Sequence, residues 1–215
     1  MSLKTLETKL NEGRQYRDID VSRFERREDN GEKIVEGYAT TFNQPYVLWD
    51  EPGYTVMEQV DARAFDETDM TDVIMQYNHE GRVFARTSNG TLELTPDDVG
   101  LRTKGNLGGT ALGSQVFEEI QGGYTTKMSF GFRVGEDKRE VTEDRENNHV
   151  TVLRTITKIA KLYDVSAVSI PANDATSISA RSFGEGVVEE IKQELLAREK
   201  RERQKHKIKI LTEVL

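Results

Sequence analysis

Apolar and polar positions alternate in short runs along most of the chain, which is the two-residue period of strands buried on one face. Tyr16 to Arg27 alternates loosely, and Lys33 to Phe42 reads as a second strand. Between them Asn30-Gly31 marks a hairpin, because both residue types tolerate positive φ. Pro45, Pro52 and Gly53 interrupt Asn43 to Val60, which reads as a surface loop. Asp61-Ala62-Arg63-Ala64-Phe65 reads as the start of a helix, with Asp61 accepting from the free amides. Val73 to His79 is a short apolar strand. Val83 to Thr87, Thr91 to Thr95 and Gly100 to Lys104 follow, separated by Ser88-Asn89-Gly90 and Pro96-Asp97-Asp98. Such spacing predicts an antiparallel meander or small barrel.

The period changes at Thr110 to Ile120, where Leu112, Val116, Phe117 and Ile120 fall on one helical face and Gly122-Gly123 stops the helix. Tyr124 to Val134 returns to a strand, the charged Gly135 to His149 reads as an exposed hairpin loop, and Val150 to Ala160 is again a strand. Leu162 to Ile170 continues until Pro171. A last helix from Gly186 carries Val187, Ile191 and Leu195 on one face before it becomes a mixed-charge tail, and a short helix is expected around Ser2 to Leu10. The predicted class is mainly β with flanking helices, α+β, without internal repeats.

At 215 residues, 35% apolar and 32% charged, the chain fits one soluble domain with an appended helical segment. Neither a run of eighteen apolar residues nor an apolar leader after Met1-Ser2-Leu3-Lys4-Thr5 is present, so neither membrane nor export is expected. The net charge of -8 is unevenly divided, since Lys192 to Lys209 holds eight Lys or Arg against three Glu and leaves -13 for the rest. An acidic body argues against nucleic-acid binding by the main domain, because phosphate contacts need clustered Lys and Arg.

Chemistry is narrowed by what the sequence lacks. Without cysteine, and with His79, His149 and His206 as its histidines, it has no thiol nucleophile and no cysteine-bound metal. His79-Glu80 opens like a zinc-protease helix, but Val83 stands where the second histidine is required. Ser129, among Met128, Phe130 and Phe132, needs a hydrogen-bond partner or loses on the order of 1–3 kcal/mol. That partner is either a nearby backbone carbonyl or an imidazole, and Gly131 leaves room for a substrate strand. His79 is either an ordinary polar residue closing a strand or a base at its rim. Asp164, in a strand otherwise suited to burial, either lies at an exposed edge or pairs with Lys161, or else holds the imidazole. Ser114, Ser166 and Ser169 are further hydroxyls that residue chemistry alone does not reject.

Several stretches taken together resemble the prohead proteases of tailed bacteriophages, capsid-maturation serine proteases related in fold to herpesvirus assemblins. They are Gly37-Tyr38-Ala39-Thr40-Thr41-Phe42-Asn43, Ala64-Phe65-Asp66, Tyr77-Asn78-His79-Glu80, Gly100-Leu101, Met128-Ser129-Phe130-Gly131-Phe132 and Leu162-Tyr163-Asp164-Val165-Ser166, leading to Ile170-Pro171-Ala172-Asn173. The resemblance covers Tyr16 to Phe183. It implies a compact antiparallel β-barrel of the herpesvirus-protease-like type, with His79 as general base, Ser129 as nucleophile and Asp164 as third member in place of the assemblins' second histidine. His149, in its charged loop, is unsuited to that place. Oxyanion donors would fall at Ala172 and Asn173, since Pro171 has no N-H.

The implied organisation is an N-terminal segment over 1–15, a protease domain over 16–184 and a charged helix and tail over 185–215. The implied activity is endoproteolysis of scaffold, major capsid protein and the chain itself, inside the immature capsid in the host cytoplasm. No cofactor or metal is called for, and self-association is left open. The rival expectation is a catalytically silent assembly or scaffolding factor that docks through the helix from Gly186. A plain β-barrel binding module ranks third.

Overall fold

Two long strands, β10 (Lys127–Asp144) and β11 (His149–Val168), form an antiparallel hairpin that is the spine of the molecule. The structure is a computed structural model that describes residues 14–19, 25–29, 31–168 and 178–213. On one side of the hairpin β10 pairs with β1 (Gln15–Ile19). On the other, β11 pairs with β5 (Tyr54–Val60) along Val150 to Ile156 and with β6 (Ile74–Tyr77) along Asp164 to Ala167. β4 (Tyr46–Glu51) on β5 and β7 (Glu80–Arg86) on β6 complete a seven-stranded sheet. A second, antiparallel sheet runs β2 (Glu25–Asp29), β3 (Glu32–Thr41), β9 (Gly100–Asn106) and β8 (Leu92–Pro96).

The protein is thus mostly β with two helices among the described residues, as an α+β class requires. The expected compact antiparallel barrel is another matter. Among the described residues the sheets do not close into a barrel, and β5 and β6 both run parallel to β11. Length explains the mixed pairing: β11 has 20 residues, about 66 Å at 3.3 Å per residue, so two strands lie end to end along one of its edges.

One core lies among the two sheets and α1 (Ala111–Gln121), where Val116, Phe117 and Ile120 meet Phe130, Phe132, Val165 and Leu101. α1 begins as the sequence predicts, with the Thr110 side chain accepting from the Gly113 amide at 2.9 Å. A second core joins Leu48, Val56 and Val152 to Phe183, Val187, Val188 and Ile191 of α2 (Ile178–Glu213).

Three local expectations are corrected. Asn43 to Val60 is a hairpin, β4 and β5, rather than a loop. Pro45 precedes its first strand and Pro52-Gly53 lies in its turn, Gly53 at φ +84°, so the breakers delimit strands instead of preventing them. The charged Gly135 to His149 is strand as far as Asp144, because β11 supplies the ladder and α2 meets the arm through Arg139–Glu190 at 3.1 Å and Arg198–Glu143 at 2.6 Å. Asp61 to Phe65 makes successive turns rather than a helix, with the Asp61 carboxylate accepting from the Arg63 amide at 2.9 Å. The helix expected at Ser2 to Leu10, and Asn30 of the first hairpin, lie outside the described residues.

Buried charges tie β1 into this frame. Glu58 of β5 is fully buried and accepts from Arg17 Nε at 2.5 Å, Arg154 Nη1 at 2.7 Å and Tyr46 Oη at 2.5 Å. Arg154, also fully buried, donates through Nε to Asp137 at 2.6 Å. Burial works to raise the Glu58 pKa, but the two guanidiniums and the bonds from Arg17 and Tyr46 prevail and lower it to about 2.

Candidate functional site

The turn between β6 and β7 consists of Asn78 and His79, with φ of 50° and 60°. Two successive left-handed residues make a type I′ turn, in which the second position favours glycine. Holding an imidazole there costs on the order of 1–3 kcal/mol, and strain of this kind gathers where a side chain is needed for use.

Pairing of β10 with β11 sets Ser129 opposite Ser166 and Gly131 opposite Asp164, while the parallel pairing of β6 brings the His79 turn to the same end of β11. The three side chains meet there. His79 Nδ1 lies 2.6 Å from Asp164 Oδ2, and Nε2 lies 2.6 Å from Ser129 Oγ. A carboxylate only accepts, so Nδ1 bears the hydrogen and Nε2 of the neutral ring accepts from the Ser129 hydroxyl. Both partners weighed for Ser129 are present, since Oγ also lies 3.0 Å from the Arg17 carbonyl oxygen. When the ring is protonated, Nε2–H donates to Oγ and the hydroxyl turns to that carbonyl.

Asp164 is fully buried and is not paired with Lys161, which bonds Asp69 at 2.7 Å instead. Its Oδ1 accepts from Arg14, and its Oδ2 accepts from the Ser166 hydroxyl at 3.0 Å. Burial acts to raise its pKa, but the hydrogen bond and charge of His79, followed by those of Arg14, outweigh it and hold the carboxyl below its ordinary value. Above the imidazole stands Tyr16, ring centroids 4.3 Å apart, and the Arg14 guanidinium lies 5.1 and 4.9 Å from the Tyr16 and Tyr163 rings.

Of the predicted site residues, His79, Ser129 and Asp164 are brought together, and Ala172 and Asn173 lie outside the described residues, as does Ser169. His149 opens β11, fifteen residues before Asp164, or about 50 Å along an extended strand, and its Nε2 meets Thr55 Oγ1 at 2.9 Å. Ser166 supports Asp164 rather than meeting the imidazole, a role its i, i+2 spacing on one strand face allowed one to read. Arg14 and Tyr16 gave no such signal, because their contacts depend on the pairing of β1. Removing the Ser166 hydroxyl by Ser166→Ala is expected to lower stability by about 1.5–3 kcal/mol, the worth of a hydrogen bond to a charged group, read from denaturant midpoints.

Gly131 serves differently from the expectation. The edge of β10 beside it is taken by β1, with Tyr16 opposite Gly131, so no substrate strand lies there. A Cβ on Gly131 would stand 2.1 Å from Asp164 Oδ1, so glycine makes room for the carboxylate. Gly131→Ala is therefore expected to displace Asp164 and lower kcat roughly 100-fold or more, since misplacement of about 1 Å has that effect. Activity within a few-fold of wild type, about the scatter of such measurements, would overturn this account.

The sequence profile of a protein family described as caudovirus prohead serine protease matches residues 18–193. The chain belongs to this family. The match takes in His79, Ser129 and Asp164 together. No curated protein matches the chain. Among solved structures it is similar to the bacteriophage T4 capsid assembly protease, at 11% identity and a TM-score of 0.39, over 72% of this chain and 96% of that one. Membership of the prohead serine proteases supports a serine-protease role in capsid maturation. Among the described residues of this prohead protease, no helix is long and apolar enough to cross a membrane, and no group of acidic and histidine side chains is suited to a metal ion.

Proposed function

We propose that this prohead serine protease is an endopeptidase that cleaves scaffold, major capsid protein and its own chain inside the immature capsid. The observation that carries the reading is the imidazole held between a buried carboxylate and a serine hydroxyl, at 2.6 Å on either side. Ser129 Oγ attacks the scissile carbonyl carbon while Nε2 takes its proton, and Asp164 stabilises the resulting imidazolium. Collapse of the tetrahedral intermediate breaks the C–N bond, and Nε2–H gives its proton to the leaving amine. Water then repeats the sequence on the acyl-enzyme. In this reading the backbone amides of Ala172 and Asn173 receive the oxyanion, and no cofactor takes part.

Ser129 is fully buried and touches the Arg17 carbonyl, so a scissile carbonyl reaches Oγ only as that contact yields. The division into a segment over 1–15, a protease unit over 16–184 and a charged tail over 185–215 belongs to the same proposal, as does the herpesvirus-protease kinship of the fold. The exposed outer part of α2, with Leu196 67% exposed, favours the second reading, an assembly factor that docks through this helix. Intact-mass analysis after incubation with capsid and scaffold proteins separates the two. The protease reading expects new termini with wild type and none with Ser129→Ala; if neither protein cuts under assembly conditions, the docking reading replaces it.

A further inference from the structure

A cavity of about 410 Å³ adjoins the turn that carries His79. One wall is made by Tyr77, Asn78 and Glu80, the neighbours of His79 in the chain, and Phe84 of β7 lines it as well. The facing wall is a single stripe of α1, Leu112, Gln115, Val116 and Glu119, at the i, i+3, i+4, i+7 positions that share one helical face. Leu112 remains 39% exposed, so a large apolar side chain is left uncovered beside the catalytic turn. Neither the matched family description nor the catalytic contacts use this space.

Chemistry says which part of a substrate passes here. His79 gives its proton to the leaving amine, so that nitrogen must come against Nε2, and the residues that follow the scissile bond run out on the His79 side of Ser129. We propose that the cavity between the His79 turn and α1 receives a large apolar side chain of the substrate from just after the scissile bond. The inference rests on the protease reading above. The volume suits a side chain of leucine, methionine or phenylalanine size with its adjoining backbone, and Tyr77, Phe84, Leu112 and Val116 give it apolar contact. Glu80 and Glu119 outnumber Arg82 at the same cavity, so the net charge of its lining is negative and disfavours an acidic residue there.

The test uses full-length protein and peptides identical before the scissile bond but bearing leucine, phenylalanine, glycine or aspartate at each of the positions just after it. Wild type is expected to prefer leucine or phenylalanine over aspartate at one position by roughly 10-fold or more in kcat/KM. Leu112→Glu and Gln115→Trp, both at exposed helix positions, are expected to reduce that preference by roughly 10-fold. Labelling of Ser129 by a small fluorophosphonate, which has no residues after the scissile bond, should proceed at the wild-type rate in both variants. Unchanged preference in variants that label normally overturns the inference and leaves the protease reading intact. A wild type that neither labels nor cuts removes the protease reading, and the inference with it.

Discussion

Ser129→Ala is expected to lower kcat for peptide hydrolysis by roughly 10⁶-fold, the scale on which a serine nucleophile acts as one unit with its base. On the proposed mechanism, removing Oγ takes away the attacking atom, and it leaves Nε2 of His79 without its 2.6 Å partner while the Asp164 contact persists. Asp164→Asn should cost roughly 10⁴-fold, because a side-chain amide can donate to Nδ1 and so favour the tautomer in which Nε2 carries the hydrogen and cannot accept. Initial rates on a peptide substrate, with the fold verified by circular dichroism, measure both. Residual activity of Ser129→Ala within about tenfold of wild type would sink the nucleophile assignment, since such a loss is far short of what removing a nucleophile does.

The second large effect is on stability. Glu58→Gln keeps the shape of the side chain but leaves Arg17 and Arg154, 3% and 0% exposed, without the carboxylate both of them touch. Breaking a buried ion pair from one side costs about 3–5 kcal/mol. For a chain of this size that is a fall in Tm of about 6–20 °C. The pH dependence follows from the direction of the shift. The Glu58 pKa is lowered from its ordinary 4.5 to about 2, so its contribution is fully present above 4.5 and is lost as pH falls toward 2. The gap in stability between wild type and Glu58→Gln should therefore narrow across that window in denaturant titrations. A constant gap would show that the charge of Glu58 is not what stabilises the fold. The effect also reaches the site, since Arg17, held by Glu58, presents the carbonyl that Ser129 touches.

Most strand positions and the α1 helix were legible because their signals are local. Thr110 caps α1 and Gly122-Gly123 ends it within a dozen residues, Ser88-Asn89-Gly90 parts β7 from β8, and Asp97-Asp98 parts β8 from β9. Errors came where a strand is supported by distant neighbours. Gly135 to Asp144 is too charged to read as a strand until β11 and α2 lie alongside it, and Tyr54 to Val60 hides Glu58, whose burial makes sense only with Arg17 and Arg154 beside it.

By itself the sequence narrowed the chemistry, because it has no cysteine and three histidines; residue types alone left Ser114, Ser166 and Ser169 open, and the resemblance to the prohead proteases singled out His79, Ser129 and Asp164. Only the tertiary structure decided that they touch. Ser129 and His79 are 50 residues apart in the chain, and His79 and Asp164 are 85 apart. They meet because β6 happens to run parallel to β11, and long-range pairing of that sort is written in no local period. The same holds for Arg14, Tyr16 and the cavity beside α1, each of which exists only once separate strands share an edge.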